Sequence, residues 1–212
     1  MSSLLIVEGK SDKEIIENLV HFMNLSSIEI DSPVCNIDKC EALGGIGELE
    51  KKLTSLKSRV KKEDIKTVGI IFDADKMGVD TRTQEIESII QRVFGDSSDV
   101  IFKIHILHID DRGELEDILK LITSNDPIMA NCLNAWQECL SNKKLDDKEL
   151  NKLWIQVYQK YDCCTKEEQE NMRDNCNAQK LLEEKKIYDF NRDVEPLNTL
   201  KKFLRLLSDE SY

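Results

Sequence analysis

Thr67-Val68-Gly69-Ile70-Ile71-Phe72-Asp73-Ala74-Asp75 is the stretch whose reading decides the fold. Five consecutive apolar residues ended by acids read as a strand covered on both faces, which is the character of a strand inside a parallel sheet. Alternate side chains of an extended segment point the same way, so Asp73 and Asp75 present their oxygens to one side. An isolated Asp-x-Asp usually marks a turn in which aspartate bonds its own backbone. Directly after an apolar strand the pair is instead a candidate for holding a divalent cation, because Mg2+ takes a few carboxylates together with waters and substrate phosphates.

The same arrangement lies upstream. Leu4-Leu5-Ile6-Val7 runs into Glu8-Gly9-Lys10-Ser11-Asp12, a strand end, a glycine turn and a helix start. Ser11 and Glu14 fit a capping box, and Ile15, Ile16, Leu19, Val20 and Met23 follow at helical spacing. This predicts Asp12 in the first helical turn, within reach of Glu8 and also suited to the positive helix end. Lys10, beside the site, is the candidate for a phosphate contact. Gly9-Lys10-Ser11 is similar to the end of a phosphate-binding P-loop, but that motif requires glycine where Leu4 stands. Downstream, the apolar segment Ile104 to Ile109 leads to Glu116. The carboxyl ends of parallel strands share one edge, so acids far apart in sequence converge there.

Further out, strands are predicted at about 3–8, 28–37, 67–73 and 100–109, alternating with helices at about 11–23, 46–61 and 80–94. The fold class is therefore α/β, a mainly parallel four-stranded sheet flanked by helices. Beyond Asp110 the character changes to helices at about 114–123, 126–141, 146–161, 165–185 and 196–207. Two parts are expected: a catalytic α/β domain over 1–125, and an all-helical C-terminal extension over 126–212 packed on it. Trp136, Leu140, Trp154, Val157, Tyr158 and Tyr161 are expected to pack that extension.

Glu8-x-x-x-Asp12, Leu43-Gly44-Gly45, Asp73-Ala74-Asp75 and Gly113-Glu114-Leu115-Glu116-Asp117, taken in order, resemble the Toprim domain of topoisomerases, bacterial primases and several nucleases. The spacing is most similar to small stand-alone Toprim proteins and to the Toprim part of the overcoming-lysogenization-defect nucleases. The resemblance covers about residues 1 to 125. It implies a divalent-metal-dependent nuclease using one or two Mg2+ or Mn2+ ions, with Glu8, Asp12, Asp73, Asp75 and Glu116 as metal ligands. Glu8, Asp73, Asp75 and Lys10 are the implied catalytic set. It further implies a DNA or RNA substrate, anti-phage defence or nucleic-acid processing as the setting, and a separately encoded ATPase as a partner. Haloacid-dehalogenase phosphatases also place Asp-x-Asp after a strand, but near the start of the domain and with Thr or Val where Met77 stands. A second reading, from another class, is a non-catalytic Toprim-fold binding or regulatory subunit whose helical tail docks on such a partner or on another copy of the chain. The family's downstream lysine has no assigned counterpart here. A third reading is phosphoryl or nucleotidyl transfer without nucleic acid.

Composition bounds these readings. A chain of 212 residues with net charge −11 does not bind nucleic acid over its whole surface, since duplex affinity comes from neutralising phosphates. Lys57, Arg59, Lys61 and Lys62, on the solvated sides of a helix whose buried face is Leu49, Leu53, Leu56 and Val60, are the candidate nucleic-acid contacts. No apolar run is long enough to span a membrane, and the start Met1-Ser2-Ser3 lacks a basic leader, so a cytoplasmic location is expected. Seven cysteines without Cys-x-x-Cys are expected to be reduced, mostly buried thiols. His105 and His108 are expected to pack the fourth strand, His108 lying nearer the acids.

Overall fold

Strands β1 (Ser3–Val7), β2 (Ile28–Ile30), β3 (Thr67–Asp73) and β4 (Ile101–Leu107) form one sheet in the order β2-β1-β3-β4, every neighbouring pair parallel. The computed structural model describes residues 3–35, 45–95, 99–140, 144–170 and 176–208. Parallel neighbours need long crossovers, and helices α1 (Lys10–Phe22), α2 (Gly45–Glu63) and α3 (Val79–Phe94) supply them. β2 is shorter than the expected 28–37. Pro33 has no N–H to offer a ladder, yet the chain keeps tracking β1 through Asp31 N to Leu5 O, Val34 N to Val7 O and Cys35 N to Glu8 O, at 2.9, 3.0 and 2.9 Å. One sheet face carries Leu4, Ile6, Val68, Ile70, Phe72 and Ile106, packed in one core with Leu49, Leu53, Leu56 and Val60 of α2 and Ile86 and Ile89 of α3.

The chain divides into two compact units, residues 1–113 with 195–212, and residues 114–194. The boundary expected at 125/126 thus sits within the second unit, whose elements are α4 (Leu115–Leu121), α5 (Ile128–Cys139), α6 (Asp147–Val157) and α7 (Lys166–Glu170), with π-helical turns at Tyr158–Asp162 and Lys180–Glu184. Tyr158 is its centre. The side chain is fully buried, its ring lies 5.6 Å from Trp154 and 6.0 Å from Tyr188, and its hydroxyl donates to Ile187 O at 2.7 Å. Burial pushes the Tyr158 phenol well above its ordinary range. Trp136 and Tyr161 correct the expectation, being exposed at 43% and 46%. Trp136 lies on the side of α5 away from Ala130, the buried residue of that helix. Cys164 and Cys176 are joined in a disulfide, correcting the expectation of thiols for that pair; Cys163 beside them is free and buried.

The last helix, α8 (Glu195–Ser208), belongs to the sheet unit. Leu197, Leu200, Phe203, Leu204 and Leu207 fall on one face and are all buried. Gly69, in the middle of β3, makes room for it: a β-carbon there would lie 2.7 Å from Leu207 Cδ2 and 3.0 Å from Leu5 Cδ1. Ser3 donates to Leu207 O at 2.7 Å, and the His105 ring stacks on Phe203 at 5.1 Å. Burial, with His108 nearby, lowers the His105 pKa to about 4, so the ring is neutral in the fold. Among the described residues no helix is long and apolar enough to cross a membrane.

Candidate metal centre

Chain order reverses between β1 and β3, the two central strands, and in an open parallel sheet ligands bind outside the carboxyl ends at that point. Val7 is level with Ile71, so Glu8 follows β1 one step beyond this register while Asp73 ends β3 two steps beyond it. Neighbouring strands are about 4.8 Å apart, which brings these two motifs to one place on the edge. The Glu8 carboxylate lies against the backbone of Gly45 at the start of α2. A β-carbon on Gly45 would stand 2.6 Å from the Glu8 carboxylate carbon, so only glycine admits this approach. The positive end of α2 attracts the carboxylate there. Leu43 and Gly44, read with Gly45 as one motif, lie outside the described residues.

Asp12 serves the turn as well as the edge. Its Oδ2 accepts from Gly9 N at 2.7 Å, and Gly9 is the residue that caps α1. The expected Ser11–Glu14 box is therefore corrected: helix α1 begins at Lys10, one residue early, and Asp12 occupies the position that returns a bond to the cap. Lys10 is exposed and pairs with Glu14 at 3.8 Å.

Asp73 is buried and Asp75 half-buried, and a residue the sequence reading did not single out holds this segment. Arg82 of α3, 8% exposed, donates from Nε to Asp73 O at 3.1 Å, from Nη2 to Asp75 Oδ2 at 2.8 Å and from Nη1 to Glu85 Oε2 at 2.9 Å. Asp75 adopts φ 50°, in the left-handed region that non-glycine residues seldom occupy. Two bonds hold it there, Asp75 N to Gly113 O at 2.9 Å and Gly113 N to Asp75 O at 3.2 Å. Gly113 is in turn three residues before Glu116 along the chain. The buried Nδ1 of His108, just past β4, has no hydrogen-bond partner among the described residues.

In the second unit the acids of the Gly113-to-Asp117 motif open α4. Glu114 caps the helix; its N–H donates to Asp117 Oδ2 at 3.1 Å, and Asn151 Nδ2 donates to Asp117 Oδ1 at 2.8 Å and to Glu114 Oε1 at 3.1 Å. Glu114 is 4% exposed, and its Oε2 makes no hydrogen bond among the described residues, Lys148 Nζ standing 3.7 Å away. Burial, reinforced by Glu116, raises its pKa to about 7. Glu116 itself stands in the first turn of α4, half-buried. Lys120, one turn on, pairs with Asn151 and lies 5.4 Å over Trp154; burial lowers its pKa.

A family model described as "Protein of unknown function (DUF3226)" matches residues 2–209. The chain belongs to that family. No curated protein and no solved structure matches it.

The four basic candidates of α2 divide. Arg59 is committed within the fold: it pairs with Glu29, with Asp31 at 3.2 Å and with Glu63 at 2.7 Å. Lys57 donates to Val93 O at 2.7 Å, closing the end of α3, and sits 5.9 Å from the Phe94 ring centre. Lys61 and Lys62 are exposed and carry no ion pair among the described residues. The signal for Arg82 was present in the sequence. It shares the buried stripe of α3 with Ile86 and Ile89, and a charge in an apolar stripe marks a required partner.

Proposed function

We propose that this chain is a Toprim-like, Mg2+- or Mn2+-dependent phosphodiesterase acting on nucleic acid. The feature that supports this best is that two adjacent parallel strands bring Glu8 and Asp73 to their carboxyl ends at the switch point of an all-parallel sheet, with Asp75, just beyond Asp73, bonded to Arg82. The donors are carboxylate oxygens, the set that Mg2+ and Mn2+ prefer, so the residues fit the ion. Asp73, Asp75, Glu8 and Asp12 would hold it, and the resemblance adds Glu116. A bound divalent ion supplies positive charge to a phosphoryl group. Within the protein, Arg82 fixes the orientation of Asp75 and neutralises part of the charge crowded on the edge, so the acids stay in place before the ion arrives. In this reading Glu8, held at the start of α2, would alternatively accept a proton from an attacking water.

The test is purified chain with plasmid, single-stranded DNA and transfer RNA, with and without Mg2+ or Mn2+. Metal-dependent cleavage lost in Glu8→Gln with unchanged circular dichroism supports the nuclease. No cleavage of any of the three, with or without metal, sinks it. A second reading, a non-catalytic binding subunit docking on an ATPase, is favoured by one observation: Lys57 and Arg59 are already engaged inside the fold of an acidic chain. That reading expects binding without cleavage.

A further inference from the structure

The Cys164–Cys176 bond closes a ring in the chain that contains α7, a five-residue helix that buries none of its side chains. So short a helix does not hold itself together in water. Its neighbours hold it. Glu168 accepts from Thr165 N at 2.8 Å and from Lys185 Nζ at 2.6 Å, and Gln169 Nε2 donates to Cys164 O at 2.9 Å. Water competes for these polar bonds, but it does not compete for the disulfide.

Just before the ring the chain runs through the π-helical turn Tyr158–Asp162. Its wider spacing shows in Cys163 N, which donates to Tyr158 O five residues back, at 3.1 Å. Single turns of this kind occur as bulges, often at functional places, and persist where the surroundings hold them. Both sulfurs of the disulfide lie against Gln159 O in that turn, at 3.3 and 3.9 Å. At the end of the turn Asp162 accepts from Met129 N and Ala130 N at 2.8 and 3.0 Å, which closes the first turn of α5. Disulfide, π-helical turn and the start of α5 are therefore one series of contacts inside the middle unit. Cys163 does not disturb it: burial pushes that thiol up, and a protonated thiol does not attack the neighbouring disulfide.

From these contacts we infer that the Cys164–Cys176 bond is a reversible redox latch, which a dithiol opens and whose opening releases Asp162 from the start of α5. A thiolate of the dithiol attacks one sulfur, the S–S bond breaks, and the other sulfur leaves as a thiolate and takes a proton. The second thiol of the reductant then closes on the mixed disulfide. The two cysteines gain two electrons and two protons, and the dithiol becomes a disulfide. Both cysteines are only 7% exposed, so attack follows the lifting of α7, a local opening that gives up little apolar contact. The stack of Tyr158 with Trp154 and Tyr188 takes no part of the bond, and the unit stays folded when it opens.

The latch is independent of the proposed catalysis, and it is read by amide hydrogen exchange on the isotope-labelled full chain, after oxidised and after reduced dithiothreitol. Peptide mapping should find Cys164 joined to Cys176 in the first state and two alkylated thiols in the second, and renewed oxidation should restore the bond. In the reduced chain the Met129 and Ala130 amides should exchange at least about tenfold faster, while those of α1 are unchanged. Cys164→Ser with Cys176→Ser should match the reduced chain without any reductant. Asp162→Ala should give the same acceleration with the bond intact, and reduction should then add less than about twofold, because the two changes act through one contact. Equal exchange at Met129 and Ala130 in both redox states overturns the latch, and so does a chain in which oxidised dithiothreitol forms no Cys164–Cys176 bond. Loss of the near-ultraviolet circular dichroism on reduction overturns it too, since the bond would then be a staple of the whole unit.

Discussion

Two acidic positions meet burial in opposite ways. At the end of β3 a buried arginine donates to the Asp73 carbonyl and to the Asp75 carboxylate, and its third donor bonds Glu85 of its own helix. At the start of α4, Glu114 is as deeply buried, but its nearest cation is Lys148 at 3.7 Å, and its pKa rises to about 7. A carboxylate's charge is thus set by what its local framework brings to it. At Glu114, burial with Glu116 nearby pushes the carboxyl toward the protonated form.

Removing the clamp should give the largest effect. Arg82→Met removes the buried guanidinium bonded to Asp73 O, Asp75 and Glu85, and losing one member of such a network costs about 3 kcal/mol, measurable by chemical denaturation. Arg82→Lys should recover little, because an ammonium cannot fork to both Asp73 O and Asp75. A loss below about 1 kcal/mol for Arg82→Met would erase the contrast with Glu114.

Glu114→Gln tests the other side. The folded pKa of about 7 lies above the ordinary 4.5, so the fold prefers the protonated acid. Stability is then highest at low pH and declines as pH rises from 4.5 through about 7. The Gln variant should lose that slope and be more stable than the parent at pH 8, by up to about 3 kcal/mol. Equal slopes in parent and variant would show that Glu114 is ionised in the fold.

Gly45→Ala should destabilise by about 1–3 kcal/mol through overpacking against Glu8, although Ala is the better helix former. Adding Glu8→Ala should restore most of the loss, a coupling read by a double-mutant cycle. Additive effects would mean the two residues do not touch. The smallest expected effect is that of the ion. Millimolar Mg2+ or Mn2+ should stabilise the parent by about 1–2 kcal/mol, seen as a higher melting temperature, and Asp73→Asn with Asp75→Asn should abolish the gain.

Much of this was legible in the sequence because it rests on local periodicity. The apolar runs before Glu8 and Asp73 gave both central strands, and the stripe of Leu197 to Leu207 gave the last helix. What was illegible depends on neighbours far along the chain. The shortness of β2 follows from Pro33 beside β1, and the Cys164–Cys176 bond joins residues twelve apart in the chain that no local pattern links. Asp12 was placed correctly in the first turn, but its bond to Gly9 depends on a helix start one residue earlier than the spacing implied. Arg82 and the exposed Trp136 of α5 are the same kind of signal read in reverse: a charge where the pattern requires an apolar residue, and an apolar residue where it requires charge.

The return of α8 to the sheet unit bears on how this chain is made. A ribosome delivers residues 114–194 as a complete helical unit before it delivers the helix that covers the face of β3 around Gly69. Until residues 195–208 emerge, the slot that Leu207 fills stands open to water, and a growing chain exposes Leu5 and the backbone of Gly69 to whatever apolar surface it meets. The sheet begins first and closes last, so its window of vulnerability lasts through the synthesis of the whole middle unit.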